Sequence, residues 1–151
     1  MALPKRIMVV DDEERLRDLL FDVLTDSGFK VTLASDGQES LDRMQDRRFD
    51  LVITDINMPR LDGIGLLKRM KKEGRKEKVI IMTARPVDHL RLGEEIPVVS
   101  RQLNKPFRVS AFMEAVSSAL EPHRKNKKRR DIGKETENRK ERWELPGLHA
   151  L

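Results

Sequence analysis

"LVITDINMPRLDG" (residues 51–63) opens as a short apolar run, reaches a carboxylate at Asp55, and passes at once into Ile-Asn-Met-Pro and a loop that ends on glycine. Four apolar or β-branched residues without alternation are the pattern of a parallel strand covered on both faces. Such a strand needs neighbours of the same kind, and the chain supplies them. "RIMVV" (6–10), "KVTLA" (30–34), "DLVIT" (50–54), "KVIIM" (78–82) and the run from "IPVVS" into "RQLN" (96–104) are the predicted strands.

Helical periodicity fills the gaps between them. Leu16, Leu19, Leu20, Val23 and Leu24 recur at the spacing of one helix face, with Gly28 as the stop. Leu41 and Met44 mark a shorter second helix, and Ile64, Leu67 and Met70 a third that ends near Gly74. Ser110 is the expected cap of a last helix, with Phe112, Met113, Val116, Ala119 and Leu120 on its inner side. Between the last two strands, "RPVDHLRLGEE" (85–95) is read as a fourth helix, although Val87, Leu90 and Leu92 are poorly spaced and Pro97 breaks the pattern soon after. The order is a strand–helix unit repeated five times. Right-handed crossovers turn that into an α/β fold with an open, doubly wound parallel sheet.

Charge divides the chain in two. The net charge is +5, yet residues 1–122 hold 21 Lys+Arg and 21 Asp+Glu, while residues 123–151 hold 10 and 5. A boundary near Pro122, where "HRKNKKRR" is about to begin, separates a domain (1–122) from a basic tail (123–151). The chain has no cysteine, which excludes disulfides and thiolate metal sites. No apolar run reaches the roughly 20 residues of a membrane span, and the N-terminal apolar stretch is too short for a signal peptide. A cytoplasmic location and no membrane insertion are the expectations.

In sheets of this class the site lies outside the carboxyl ends of the strands. Those ends carry Asp11 and Asp12, Asp55, Thr83 and Ala84, and Asn104, Lys105 and Pro106. Each alone has a plain reading: a helix cap, a turn residue, a surface lysine. Gathered at one mouth they need a different one. Carboxylates in a group repel unless a cation joins them, and an all-oxygen set suits Mg²⁺ or Mn²⁺. Asp11, Asp12 and Asp55, with the Asn57 main-chain carbonyl, make such a set. A carboxylate beside that metal can also accept a phosphoryl group. Lys105 then supplies a fixed charge and the Thr83 hydroxyl a donor for the transferring oxygens, while the small Ala84 leaves the approach open. Pro106 after Lys105 suits a cis bond.

The set "VVDDEE", "LVITDINMPRLDG", "IIMTA" and "NKPF", in this order over residues 5–121, resembles the receiver domain of two-component response regulators. The resemblance implies a flavodoxin-like sheet of order 2-1-3-4-5. It implies Asp55 as phosphoacceptor, Asp11 and Asp12 as metal-site acids, Thr83 as switch hydroxyl and Lys105 as phosphoryl-binding cation. It further implies a histidine kinase or histidine phosphotransfer protein as donor, a downstream protein as target, and a fold that in some members forms homodimers. Asn57 and Arg85 stand where the family tunes dephosphorylation. Gln102 departs from the pattern, because receivers commonly carry Tyr or Phe there, a side chain that swings inward when the threonine moves. The "Gly-Ala" element that usually precedes the fifth strand is replaced by "EEIPVVSRQ". The reading is of a phosphorylation switch with no effector domain attached.

Two alternatives arise from the departures. One is a receiver-shaped scaffold in which Asp55 is not phosphorylated in use; Gln102 favours it. The other is a regulator whose basic tail contacts nucleic acid, although the tail lacks interleaved aromatics and a helix-turn-helix pattern. Composition favours a solvated extension for the tail, with a partner-docking segment around "RWELPGL" as its remaining reading. A phosphatase acting on external esters fits less well, since Asn57 stands where a second acid would be needed. His89, His123 and His149 have no ligand spacing and are expected to face solvent. Met8, Met70 and Met113 fall at core spacings, and Pro59 and Gly63 are read as loop-shaping.

Overall fold

Strand side chains point alternately to the two faces of a sheet, so runs that are apolar at every position build two cores at once. The computed structural model, which describes residues 3–122, does this. Along the chain run β1 (Arg6–Val10), α1 (Glu14–Asp26), β2 (Lys30–Ala34), α2 (Gly37–Met44), β3 (Leu51–Asp55), α3 (Gly63–Lys72), β4 (Lys78–Thr83), a 3-10 segment (His89–Glu95), β5 (Val99–Asn104) and α4 (Val109–Leu120). The strands form one sheet in the order β2-β1-β3-β4-β5, and each pair is parallel. The expected α/β class and flavodoxin-like order are both present.

On one face Met8, Val10, Val52, Val79 and Ile81 pack with Leu41 and Met44 of α2 and Leu66, Leu67 and Met70 of α3. On the other, Ile7, Val9, Leu51, Ile53, Ile80 and Met82 pack with Leu20 and Leu24 of α1 and with Phe112, Ala115, Val116 and Ala119 of α4. Each such fully buried aliphatic side chain contributes about 1.5–3 kcal/mol relative to exposure, which sets β1, β3 and β4 as the stable centre. Met113 packs against the second cluster, as its spacing predicts.

Several boundaries differ from the sequence reading. The region read as a fourth helix is a 3-10 segment with no buried residue, broken at Gly93 (φ 51°, ψ −124°). Its apolar residues do not repeat at helical spacing, so a regular helix there has no stripe to bury. The last helix begins at Val109, and the Phe112 N–H donates to the Arg108 carbonyl, so Ser110 lies within the first turn and does not cap it. Leu19 is 47% exposed: the stripe of α1 runs through Leu16, Leu20 and Leu24 and leaves it at the margin. β5 starts at Val99, three residues later than read, although Ile96 is buried. Gly28 ends α1 at φ +91°, a conformation open to glycine at little steric cost. No described helix is long and apolar enough to cross a membrane. The tail, with His123, Trp143 and His149, lies outside the described residues.

Candidate functional site

The sheet delivers its acids to one edge. β3 ends on Asp55, which is 6% exposed, and Asp11 follows β1 directly and is fully buried. The Asp11 N–H donates to the Ala34 carbonyl of β2, extending the ladder by one residue, so this side chain stands on a rigid base. Exposed Asp12 completes a group in which one carboxylate oxygen from each residue lies within 4.8 Å of the others. Lys105, one residue past β5, reaches across. Its Nζ donates to Asp11 Oδ2 at 2.6 Å and to Asp55 Oδ2 at 3.1 Å. The Lys105–Pro106 bond is cis, as expected, and the Lys105 N–H donates to the Thr83 carbonyl.

The electrostatics follow from this packing. Burial pushes the Asp11 carboxyl above its ordinary range; the bond from Lys105 and the Glu13 N–H recover part of that, and the charge of Asp55 adds to it. Burial also works against the charge on Lys105. Its bonds and attraction to Asp11 and Asp55 outweigh burial and hold its pKa above the usual lysine value. Asp55 is fixed in rotation because the Ile56 N–H donates to its Oδ1 at 2.7 Å. The Glu13 N–H does the same for Asp11 Oδ1 at 2.8 Å. The result is two buried, oriented carboxylates sharing one ammonium, with a third carboxylate at the rim.

The loop after Asp55 is held from two sides. The Gly63 N–H donates to the Ile56 carbonyl, and a Cβ on Gly63 would run into the Asp55 carbonyl oxygen. The Gly37 N–H donates to the Leu61 carbonyl. Arg60 adopts a left-handed φ of 65°, uncommon for a side chain of its size, and its guanidinium bonds Asp36 Oδ2 at 2.7 Å. Asn57 lies exposed in this loop. Reading the sequence alone misses Asp36 and Arg60. A signal exists for the first, since Asp36 and Glu39 have the spacing of a capping box, and Asp36 Oδ1 does accept from the Glu39 N–H. Arg17 is missed too; it donates from α1 to the Asp11 carbonyl at 2.7 Å.

The remaining candidates lie toward β4 and β5. Thr83 is fully buried, but its hydroxyl donates to the Arg85 carbonyl at 2.6 Å and accepts from the Arg85 N–H, so it is turned to the loop and not to the acids. Ala84 and Arg85 are exposed. Gln102 behaves like a short piece of strand: its Oε1 accepts from the Val87 N–H at 2.8 Å and its Nε2 donates to the Val87 carbonyl at 2.9 Å. Its Nε2 also lies 3.0 Å from His89 Nδ1, so His89 is partly buried against β5 and does not simply face solvent.

Known proteins share this fold and these motifs. The family model for the response regulator receiver domain matches residues 7–117. The chain is 35% identical over 117 residues to sporulation initiation phosphotransferase F of Bacillus subtilis, covering 77% of this chain and 94% of that protein. It is 33% identical over 118 residues to response regulator MprA of Mycobacterium sp., a match that covers 78% of this chain and about half, 51%, of the relative's length. Response regulator protein TrrA from Thermotoga maritima, solved in complex with Mg²⁺-BeF, superposes with a TM-score of 0.65 at 33% identity, covering 77% of this chain and 99% of that one. The stretch matched by the family model contains Asp11, Asp12, Asp55, Thr83 and Lys105 and nearly all of the described fold, and the chain therefore belongs to the response regulator receiver domain family.

Proposed function

We propose that the domain over residues 1–122 is a phosphorylation switch in which Asp55 accepts a phosphoryl group from the phosphohistidine of a sensor kinase or phosphotransfer protein. The observation that carries this is the bridge from Lys105 to both Asp11 and Asp55, with Asp12 beside them. A carboxylate oxygen of Asp55 attacks phosphorus, the P–N bond breaks, and the imidazole leaves with the bonding pair. The Ile56 N–H holds Asp55 in orientation, so little reorganisation is needed at that step. Lys105 supplies positive charge where negative charge gathers on the transferring oxygens.

The donor set fits a hard divalent cation: three carboxylates offer clustered oxygens, and Mg²⁺ takes one or two carboxylates with several waters. Asp11, Asp12 and Asp55, with the Asn57 main-chain carbonyl, are the residues that would hold it. Bound there, Mg²⁺ would neutralise phosphoryl oxygens as a Lewis acid. The fluoroberyllate group in the relative from Thermotoga maritima stands in for a phosphoryl group, which supports the same reading here.

Phosphorylation would draw the Thr83 hydroxyl away from Arg85 and so loosen the start of the β4–β5 connection, altering a protein-binding surface. The test is intact-mass analysis after incubation with acetyl phosphate, with and without Mg²⁺, on wild type and Asp55→Ala. One Mg²⁺-dependent phosphoryl adduct, absent from the variant, is expected. No adduct at any Mg²⁺ concentration would favour the scaffold reading, for which Gln102, in place of an aromatic switch residue, is the specific observation.

A further inference from the structure

The equal number of cations and anions in residues 1–122 conceals a separation of charge. The acids of the candidate site stand at the carboxyl ends of the strands. The amino ends, where every helix also finishes, are basic. Three of four adjacent strands start on cations, with Asp50 ahead of β3 standing among them. The Lys30 N–H donates to the Lys5 carbonyl, the Asp50 N–H to the Arg6 carbonyl and the Lys78 N–H to the Asp50 carbonyl, so these residues sit side by side across β2, β1, β3 and β4. Arg47 and Arg48 precede β3, Lys76 precedes β4, and Lys71 and Lys72 close the last turn of α3. Lys5, Lys30, Arg47, Arg48, Lys71, Lys72, Lys76 and Lys78 are all exposed, and none has an ion-pair partner among the described residues.

Three of the anions on this side are occupied and three are not. Asp50 accepts from the Arg6 N–H, Glu73 pairs with Arg69, and Glu77 is buried against Arg75. Asp26, Asp46 and Glu121, at the ends of α1, α2 and α4, are left exposed. The surface is also braced. Arg75 donates to the Met44 and Arg47 carbonyls while holding Glu77, which fixes the loop that carries Arg47 and Arg48 beside the start of β4. A cleft of about 430 Å³ opens there, lined by Arg48, Glu73, Lys76 and Glu77 among others.

We propose that this edge binds the phosphate backbone of duplex nucleic acid without reading its sequence. A row across four strands is about 14 Å long, a length over which a duplex carries about eight phosphates on its two strands together. A protein partner would want a dry apolar centre, but the exposed large hydrophobics near this edge are two separated residues, Leu3 ahead of β1 and Val98 ahead of β5. Single strands bind through stacked aromatics, and the aromatics here turn inward: Phe49 is buried beneath the Arg6 guanidinium, and Phe29 packs against the core. Point charges with no apolar or aromatic anchor suit a regular polyanion whose bases stay paired.

The test is fluorescence anisotropy of a labelled, mixed-sequence duplex titrated with the full chain across a salt series. The variants are Lys5→Gln/Lys30→Gln/Lys76→Gln/Lys78→Gln, the double Lys76→Gln/Lys78→Gln, and a tail variant with the cations of 124–130 changed to Gln. The slope of log K against log salt is expected to flatten by about 3.6 in the quadruple variant and about 1.8 in the double, with at least a tenfold loss of affinity for the quadruple at about 50 mM salt. Thermal melting and Asp55 phosphorylation should stay as in wild type. Wild-type binding by the quadruple variant, with loss in the tail variant alone, would overturn the proposal by assigning the activity to the tail. Preference for polyglutamate or for phosphatidylserine vesicles over the duplex would overturn the choice of partner, and no binding of the duplex would overturn the whole.

Discussion

Strand β3 is buried at every position from Leu51 to Asp55, whereas β5, two strands away, buries Leu103 alone. The link into β3 follows a helix with four buried residues; the link into β5 is a 3-10 segment with none. Both regions carry candidate functional residues, but they hold them differently. Asp55 and Asp11 are oriented by backbone N–H groups on stable strands. Thr83 and Gln102 instead spend their side chains on the backbone of Arg85 and Val87, in a connection with little burial of its own. The proposed reaction would thus rest on the more deeply buried part, and the proposed response on the part held by few, replaceable bonds. Local opening is cheapest where burial is least.

The strongest way to break this contrast is to disturb the rigid side. Lys105→Ala removes the one described ammonium that faces Asp11 and Asp55. Losing a fixed charge at a transferring group costs about 10²–10³ in rate, or roughly 3–4 kcal/mol. Phosphorylation of Asp55 by acetyl phosphate should slow by that factor, followed by intact mass against time. A rate within a factor of three of wild type would mean that Lys105 stabilises the fold but not the reaction.

Gly63→Ala probes the same side through packing. The added Cβ would meet the Asp55 carbonyl oxygen and the Ile56 Cα, which are main-chain atoms that cannot step aside. Overpacking of this kind costs about 1–3 kcal/mol. A lower urea midpoint with an unchanged slope is expected, together with slower phosphorylation, because the carbonyl belongs to the acceptor itself. An unchanged midpoint would show that the loop has slack that the structure does not suggest.

How far the sequence alone reaches divides along the same line. β1, β3 and β4 are legible to within a residue because a strand covered on both faces must be apolar throughout, and "RIMVV" or "KVIIM" has no other economical use. Asp11, Asp55 and Lys105 are legible because strand ends carry them and their chemistry is distinctive. The β4–β5 connection is not. A 3-10 segment leaves no periodic stripe, so "RPVDHLRLGEE" looks like a poor helix. The orientation of Thr83 is equally out of reach, since a hydroxyl can turn to Arg85 or to the acids at small cost. Gln102 stands out as a departure from the family, but its bidentate grip on Val87 depends on how the loop folds back over β5. Arg60 and Asp36 meet only when two loops are brought together.

A smaller effect sharpens the contrast from the loose side. Gln102→Ala deletes two hydrogen bonds to Val87, each worth about 1 kcal/mol net. Because the pair is only partly buried, global stability should fall by about 1 kcal/mol at most. Amide exchange should rise severalfold across 87–95 and stay unchanged in β1 and β3. Equal acceleration throughout the sheet would mean that the two regions open as one unit, and the contrast would fail.

The smallest effect concerns Asp36, which ties the start of α2 to the loop behind Asp55. Burial works to raise its pKa, but the Glu39 N–H and the Arg60 guanidinium outweigh this and hold the carboxyl below its ordinary value. A group with a lowered folded pKa contributes stability above its unfolded value, about 3.9, and loses it as the pH falls through the folded value. Asp36→Asn keeps a capping side chain and removes the charge. Arg60 is largely exposed, so the loss at neutral pH should be less than about 1 kcal/mol. The gap in melting temperature between wild type and variant should be constant from neutral pH down to about 5 and close below about 4. A gap that persists unchanged into acid would assign the loop's position to its backbone bonds, Gly37 to Leu61 and Gly63 to Ile56, and leave Asp36 as a cap only. The loop behind Asp55 would then owe its position to main-chain bonds, leaving Lys105 as the side chain that ties Asp55 to Asp11.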